Sequence, residues 1–171
     1  MRRRLDDPEL IRRVYAYVAY RLGDGFDAED VTSATFERAL RYERSFDARR
    51  GDITAWLIGI ARRCIADAAV ARLHTTDELP DVEAPEKLED AAALRIDIAR
   101  HLARLDERDR DLLALRYGAD LTARQIGELL ELRTNAVEVA LHRALRTLRE
   151  QIETPPSERQ ELVRWESQPQ A

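Results

Sequence analysis

Cysteine is almost absent: Cys64 stands alone in a chain of 171 residues, and histidine occurs three times. One thiol cannot form an intramolecular disulfide or a multi-cysteine zinc site, and the scattered histidines add no ligand spacing. Cys64 is read as a small buried hydrophobe. Aromatics make up 6% of the chain, and glycine and proline occur six times each. Helix breakers are few, Leu, Ala and Arg are dense, and no sustained period-two run of β-branched residues occurs, so the expected fold is all-α. No unbroken apolar run reaches the roughly 20 residues that span a bilayer. Met1-Arg2-Arg3-Arg4 is not followed by the apolar core of a signal peptide, so a cytoplasmic location without membrane insertion is expected. Also missing, at working spacing, are a carboxylate pair, a nucleophile-base set, a metal cluster and a glycine-rich phosphate loop. The expectation is a binding protein without a cofactor, not an enzyme.

What is present is charge, at 36% of residues, and the chemistry of helix ends. Leu121 to Glu150 reads as two short helices broken by a tight turn. Thr122 is placed as an N-cap with Gln125 completing a capping box, and Leu121 and Ile126 bracket them as a hydrophobic staple. Ile126, Leu129 and Leu130 mark one apolar face. Thr134 is a second cap candidate, ahead of Val137, Leu141, Ala144, Leu145 and Leu148 at helical spacing. Helices joined by so short a turn cross steeply and leave the second with an outward face, which in DNA-binding helix-turn-helix proteins enters the major groove.

The rest of the chain divides around this motif. Leu10, Ile11, Val14, Tyr15, Val18 and Leu22 give a first helix with Pro8 near its start, broken by Gly23-Asp24-Gly25. Asp27 is expected to cap a second helix running to about Arg44, with Phe26 packing on Val31 and an acidic first turn of Asp27, Glu29 and Asp30. A charged loop follows, with Asp47, Arg49, Arg50 and Gly51. Asp52 is expected to cap a third helix through about Arg72, with Ile53, Trp56, Leu57, Ile60, Ala61 and Cys64 as its stripe. The formal net charge of -5 argues against a nucleic-acid binder until its distribution is seen. Thr76 to Ala92 carries one basic and seven acidic residues. This stretch, with two prolines and no aromatics, reads as a linker over 74–90. It separates a first domain, 1–73, from a second, 91–153. In the second, Ala91 to Arg104 and then Leu105 to Tyr117 read as helices, with Gly118 as a C-cap. A polar tail, 154–171, begins at Thr154-Pro155-Pro156.

Three segments in order resemble the extracytoplasmic-function group of bacterial RNA polymerase sigma factors. Ala28-Glu29-Asp30-Val31-Thr32-Ser33-Ala34-Thr35-Phe36 is similar to the acidic helix of their region 2. Ala55-Trp56-Leu57-Ile58-Gly59-Ile60-Ala61-Arg62, followed by Asp67, is similar to the tryptophan-bearing helix of that region. Leu105-Asp106-Glu107-Arg108 through Tyr117, then Ile126-Gly127-Glu128-Leu129-Leu130 and Val137 with Leu141-His142-Arg143-Ala144, resembles region 4. The resemblance runs from about Leu10 to Leu148. It implies docking on the clamp helices of core RNA polymerase through the start of the acidic helix, Asp27, Glu29 and Asp30. It implies a hold on the melted minus-ten element, for which Arg49, Arg50, Arg62 and Arg63 are the phosphate candidates and Trp56, with the loop near Phe46, the base-facing candidate. It implies that region 4 reads the minus-thirty-five element, with Thr134, Asn135, Glu138, His142, Arg143 and Arg146 as candidates. It also implies an anti-sigma partner.

Each of these residues has an ordinary alternative. Acidic residues start helices on any surface, Trp56 sits on an apolar stripe suited to core packing, and loop arginines are commonly solvated. Arg146 can pair with Glu150. The chain also departs from the family pattern. Glu138 and Ala140 stand where the recognition helix usually carries basic residues, Ala68-Ala69-Val70-Ala71 replaces an arginine cluster after Asp67, Arg63 replaces a common asparagine, and Glu131 replaces the turn glycine. A carboxylate repels phosphate but can accept a hydrogen bond from cytosine N4. Two further readings therefore stay open: a sigma-like protein with weakened DNA binding that sequesters an anti-sigma factor, and a helix-turn-helix regulator that does not engage polymerase.

Overall fold

A computed structural model describes residues 5–49, 51–74 and 98–153. Among these residues the regular elements are all helical, with no strand. Of the linker expected over 74–90, His74 is the last residue of the third helix and the rest lies outside the described residues, as do the first part of the helix expected from Ala91 and the tail from Thr154.

Helix α1, Pro8–Leu22, begins at an Asp7 cap whose carboxylate accepts the Glu9 N–H at 3.0 Å, with Pro8 in the first turn, where a missing N–H costs nothing. Gly23 ends it at φ 91°. Its buried face is Leu10, Val14, Tyr17 and Val18. Tyr15, expected on that face, is only half-buried and donates its hydroxyl to Asp24.

Helix α2, Phe26–Arg41, departs from expectation at its start. Gly25, at φ 130°, occupies the cap position, no side chain caps the helix, and Phe26 is 81% exposed. Asp27 is therefore a first-turn residue, and the Phe26–Val31 staple does not form. The left-handed Gly25 turns the chain so that Ala28, Val31, Thr32, Thr35 and Ala39 face inward, which carries Phe26 outward. The helix ends at Arg41, and a single 3-10 turn, Glu43–Ser45, replaces its expected last residues.

Helix α3, Ile53–His74, starts as expected at Asp52, whose carboxylate accepts the Thr54 N–H at 2.8 Å. Leu57, Ile58, Ala61, Cys64 and Ile65 are buried, and Cys64 is a free, buried thiol. Helices α1, α2 and α3 pack on one another as the first unit.

In the second unit, residues 98–103 are helical, and Asp106 caps α4, Glu107–Leu113, by accepting the Asp109 N–H at 2.7 Å. The helix then widens into a π turn, Ala114–Gly118. Gly118 is not the expected left-handed cap. The left-handed residue is Asp120, at φ 53°, and Gly118 serves instead as a contact point with α1.

The capping box at the head of α5, Ala123–Leu130, is complete. The Gln125 N–H donates to Thr122 Oγ1 at 3.2 Å, the Thr122 N–H donates to Gln125 Oε1 at 2.8 Å, and Leu121 and Ile126 are fully buried beside it. A cap of this kind is worth about 0.5–2 kcal/mol. Glu131 closes α5 in the left-handed conformation, φ 56° and ψ 39°. Helix α6, Thr134–Glu153, begins with Thr134 already helical, and the Arg133 carbonyl accepts from Ala136 and Val137; Thr134 is thus its first residue, not its cap. Val137, Ala140, Leu141 and Ala144 form its buried stripe.

Candidate nucleic-acid interface

Burial of Val137, Ala140, Leu141 and Ala144 turns the opposite side of α6 to solvent by helical periodicity alone. Thr134, Asn135, Glu138, His142, Arg143 and Arg146 are all exposed. Arg146 lies 3.6 Å from Glu150 with both side chains well exposed, an ion pair weak enough to exchange for a phosphate. Ala140 is only 6% exposed. Its place in the core means that the alanine there subtracts nothing from the outward face, so the departure from the family's basic pattern on this face reduces to Glu138. One residue of the face escaped the sequence reading: Val139, 57% exposed beside Glu138. Its signal was available, since it stands about 200° around the helix from Val137, away from the buried stripe.

On the first unit, Phe46 and Trp56 meet with ring centroids 5.3 Å apart at 52°. Trp56 is half-buried, so it packs on the core and keeps a face outward. The pair borders a cleft of about 320 Å³ whose other wall is Gln125, Glu128 and Leu129 of α5. Arg49 is exposed, in a turn closed by its N–H on the Asp47 carboxylate at 2.9 Å. Arg50 lies outside the described residues. Arg63 is exposed. Arg62 is different: its guanidinium is 3.1 Å from Asp111 of the second unit. Asp27, Glu29 and Asp30 all lie exposed in the first turn and a half of α2. Among the described residues no cluster of histidine, cysteine or acidic side chains is arranged to hold a metal, and no helix is long and apolar enough to cross a membrane.

Asp111 is the centre of a constellation that sequence reasoning missed. It is buried, and it accepts the Tyr17 hydroxyl at 2.8 Å while Arg21 and Arg62 approach it at 3.2 and 3.1 Å. Arg21 also binds Glu107 at 2.9 Å, and Arg13 donates to the carbonyls of Ala119 and Asp120 at 2.9 and 2.8 Å. Burial, and then the charge of Asp111, push the Tyr17 hydroxyl far above its ordinary range, so it remains a donor. A buried carboxylate is tolerable only with such a set of partners. Tyr17, Arg21 and Arg62 lie 94, 90 and 49 positions from Asp111 in sequence, and no local pattern pairs them.

The fold and this site define a helical protein of two units, one presenting an aromatic and basic surface and the other a helix-turn-helix with a free outward face. Residues 9–72 match the Sigma-70 region 2 family and residues 101–150 match Sigma-70, region 4. The chain is 33% identical over 146 residues to the ECF RNA polymerase sigma factor BldN of Streptomyces coelicolor, covering 79% of this chain and 54% of BldN, so it spans about half the length of that relative. It is 30% identical over 143 residues to the ECF RNA polymerase sigma factor SigL of Mycobacterium tuberculosis, covering 80% of each. Among solved structures, the sigma factor RpoE of Bartonella quintana, in complex with the anti-sigma factor NepR, superposes with a TM-score of 0.66 at 16% identity, covering 85% of this chain and 93% of that one, a likeness of fold. The chain belongs to the extracytoplasmic-function RNA polymerase sigma factors.

Proposed function

We propose that this chain is an alternative sigma factor that binds core RNA polymerase and directs it to a small set of promoters. Its work is binding, and the polymerase supplies the catalysis. In this reading residues 1–73 dock on the polymerase through Asp27, Glu29 and Asp30 and hold the melted minus-ten element, with Arg49, Arg50, Arg62 and Arg63 on phosphates and Trp56 against an unstacked base. Residues 91–153 read the minus-thirty-five element with Thr134, Asn135, Glu138, His142, Arg143 and Arg146. The acidic segment 74–90 joins the two, and 154–171 follows as a tail. The observation that carries the reading is the polar side of α6, exposed from Thr134 to Arg146 while its other side is locked in the core. RpoE of Bartonella quintana was solved with an anti-sigma factor; an inhibitory protein partner is proposed here as well.

Pull-down with core polymerase followed by run-off transcription on genomic DNA tests the proposal. Polymerase binding with promoter-specific transcripts is expected. A folded protein that yields no such transcripts would sink it. One observation favours a second reading, a sigma-like protein that sequesters an anti-sigma factor: Glu138 places a carboxylate on the exposed side of α6. That reading expects tight binding of the inhibitor without promoter binding.

A further inference from the structure

We infer that Val139, at the centre of the outward face of α6, reads a thymine of the minus-thirty-five element through the 5-methyl group that this base presents in the major groove. The inference rests on the promoter reading given above and adds to it a contact that the polar residues of the face cannot make.

Placement comes first. At about 100° per residue, the buried side chains of Val137, Ala140, Leu141 and Ala144 spread around one direction of α6. Asn135, Val139, His142 and Arg146 all fall within about 30° of the opposite direction, and all four are exposed. Glu138 and Arg143 lie about 70° to either side of it. A helix that lays this face into a groove therefore turns Asn135, Val139 and His142 toward the floor and Glu138 and Arg143 toward the walls. Val139 is in the second turn of α6, within the part of a recognition helix that meets base edges.

Chemistry then selects the ligand. Val139 is 57% exposed and takes no part in the hydrophobic core. Helix stability does not account for it, because a branched Cβ loses χ1 freedom against the preceding turn and makes valine a poorer helix former than alanine. The edges of base pairs in the major groove offer ring and carbonyl acceptors, amino donors and one apolar group, the thymine methyl. Set among polar neighbours, the isopropyl group of Val139 has that methyl as its one apolar counterpart. A cytosine in the same place would put an amino donor beside the valine with no acceptor to meet it, which disfavours the exchange. The stiffness that costs the helix serves the contact: a valine in a helix holds essentially one χ1 rotamer, so little freedom is lost when the methyl arrives. Arg143 and Arg146 grip the backbone of any sequence, whereas Val139 demands a T·A pair at one position.

The test uses the full chain with core polymerase and duplexes that carry a promoter recovered from the run-off transcripts. Each thymine of the minus-thirty-five element, on either strand, is replaced in turn by deoxyuridine, which removes the methyl and keeps the pairing. The wild-type holoenzyme is expected to bind one of these duplexes about fourfold more weakly than the parent, the change that follows when one methyl-sized group goes unburied. Val139→Ser, with circular dichroism checking its fold, is expected to bind the parent more weakly and to lose the difference at that thymine, while Val139→Ile keeps it. Neither should alter the log–log salt slope, since no phosphate contact changes. If Val139→Ser loses helical content, Val139→Gln takes its place under the same criteria. A wild-type holoenzyme indifferent to every methyl overturns the inference, and so does a serine variant that keeps the wild-type difference. A serine variant that binds the duplexes as the wild type does but no longer binds core polymerase also overturns it, since the valine then faces protein. Should the wild type yield no promoter-specific transcript, the promoter reading itself fails and takes the inference with it; in every other outcome that reading stands and the thymine contact alone is judged.

Discussion

The Leu132 carbonyl oxygen lies 2.7 Å from where a Cβ on Gly127 would stand, and the Leu132 N–H donates to the Gly127 carbonyl at 2.9 Å. The turn of the helix-turn-helix is folded back onto the last turn of its first helix, and Gly127 is the residue that leaves it room. Gly127→Ala gains up to about 1 kcal/mol of helix propensity, but it must displace a backbone carbonyl, and overpacking of this kind costs about 1–3 kcal/mol. A net loss of stability is expected, seen as a lower thermal midpoint and weaker minus-thirty-five binding. A midpoint equal to or above that of the wild type would refute the steric account.

Glu131 holds a left-handed conformation beside that turn, which costs an L-residue about 1–2 kcal/mol. Glu131→Gly should recover about 1 kcal/mol and raise the midpoint by several degrees in a domain this small. Denaturant unfolding measures the gain. The midpoint should move while the slope stays the same.

Arg143 and Glu138 lie on one exposed face of α6 and are expected to separate affinity from specificity. Arg143→Ala should weaken minus-thirty-five binding across all sequences and reduce the log–log salt slope by about 1. Glu138→Ala should leave the salt slope from phosphate contacts in place and relax discrimination at one cytosine-containing pair by about 1–3 kcal/mol. Titration of duplex variants at several salt concentrations distinguishes the two. An unchanged slope for the Arg143 variant removes that residue from the phosphate set.

Tyr17 gives its contact with Asp111 a pH dependence with a definite sign. Burial foremost, then the Asp111 charge, raise its pKa above the ordinary 10.0. A group with a folded pKa raised in this way contributes stability that is complete below its unfolded pKa and lost as pH rises toward the folded value. Stability of this contact should therefore be flat with respect to Tyr17 through neutral pH and decline above about pH 10. Tyr17→Phe should remove that share of the decline, measured as the difference between wild-type and variant stability across the alkaline limb.

Local chemistry was legible in the chain. Thr122 with Gln125, Asp52 and the stripe of Val137, Leu141, Ala144, Leu145 and Leu148 are relations within a few residues, set by caps and by a period of 3.6, and they formed as expected but for Leu145, which is exposed, and Leu148, which is half-buried. Where a backbone conformation outweighed a side-chain preference, the expectation missed. Gly25 took the cap position from Asp27 and sent Phe26 into solvent, and Gly118 met α1 and left the left-handed position to Asp120. Ala140 reads from the sequence as a missing DNA contact, and only its burial removes it from that face. By itself the sequence determined that the chain is helical, that it carries a helix-turn-helix, and that its ordered motifs resemble a sigma factor. Tertiary structure alone decided that Arg62 faces Asp111, that Tyr17 lies across the joint from it, and that Trp56 shares a cleft with Gln125. Such pairings join residues 49 to 94 positions apart, where no periodicity or capping rule operates and only the packing of one unit on the other brings charge to charge.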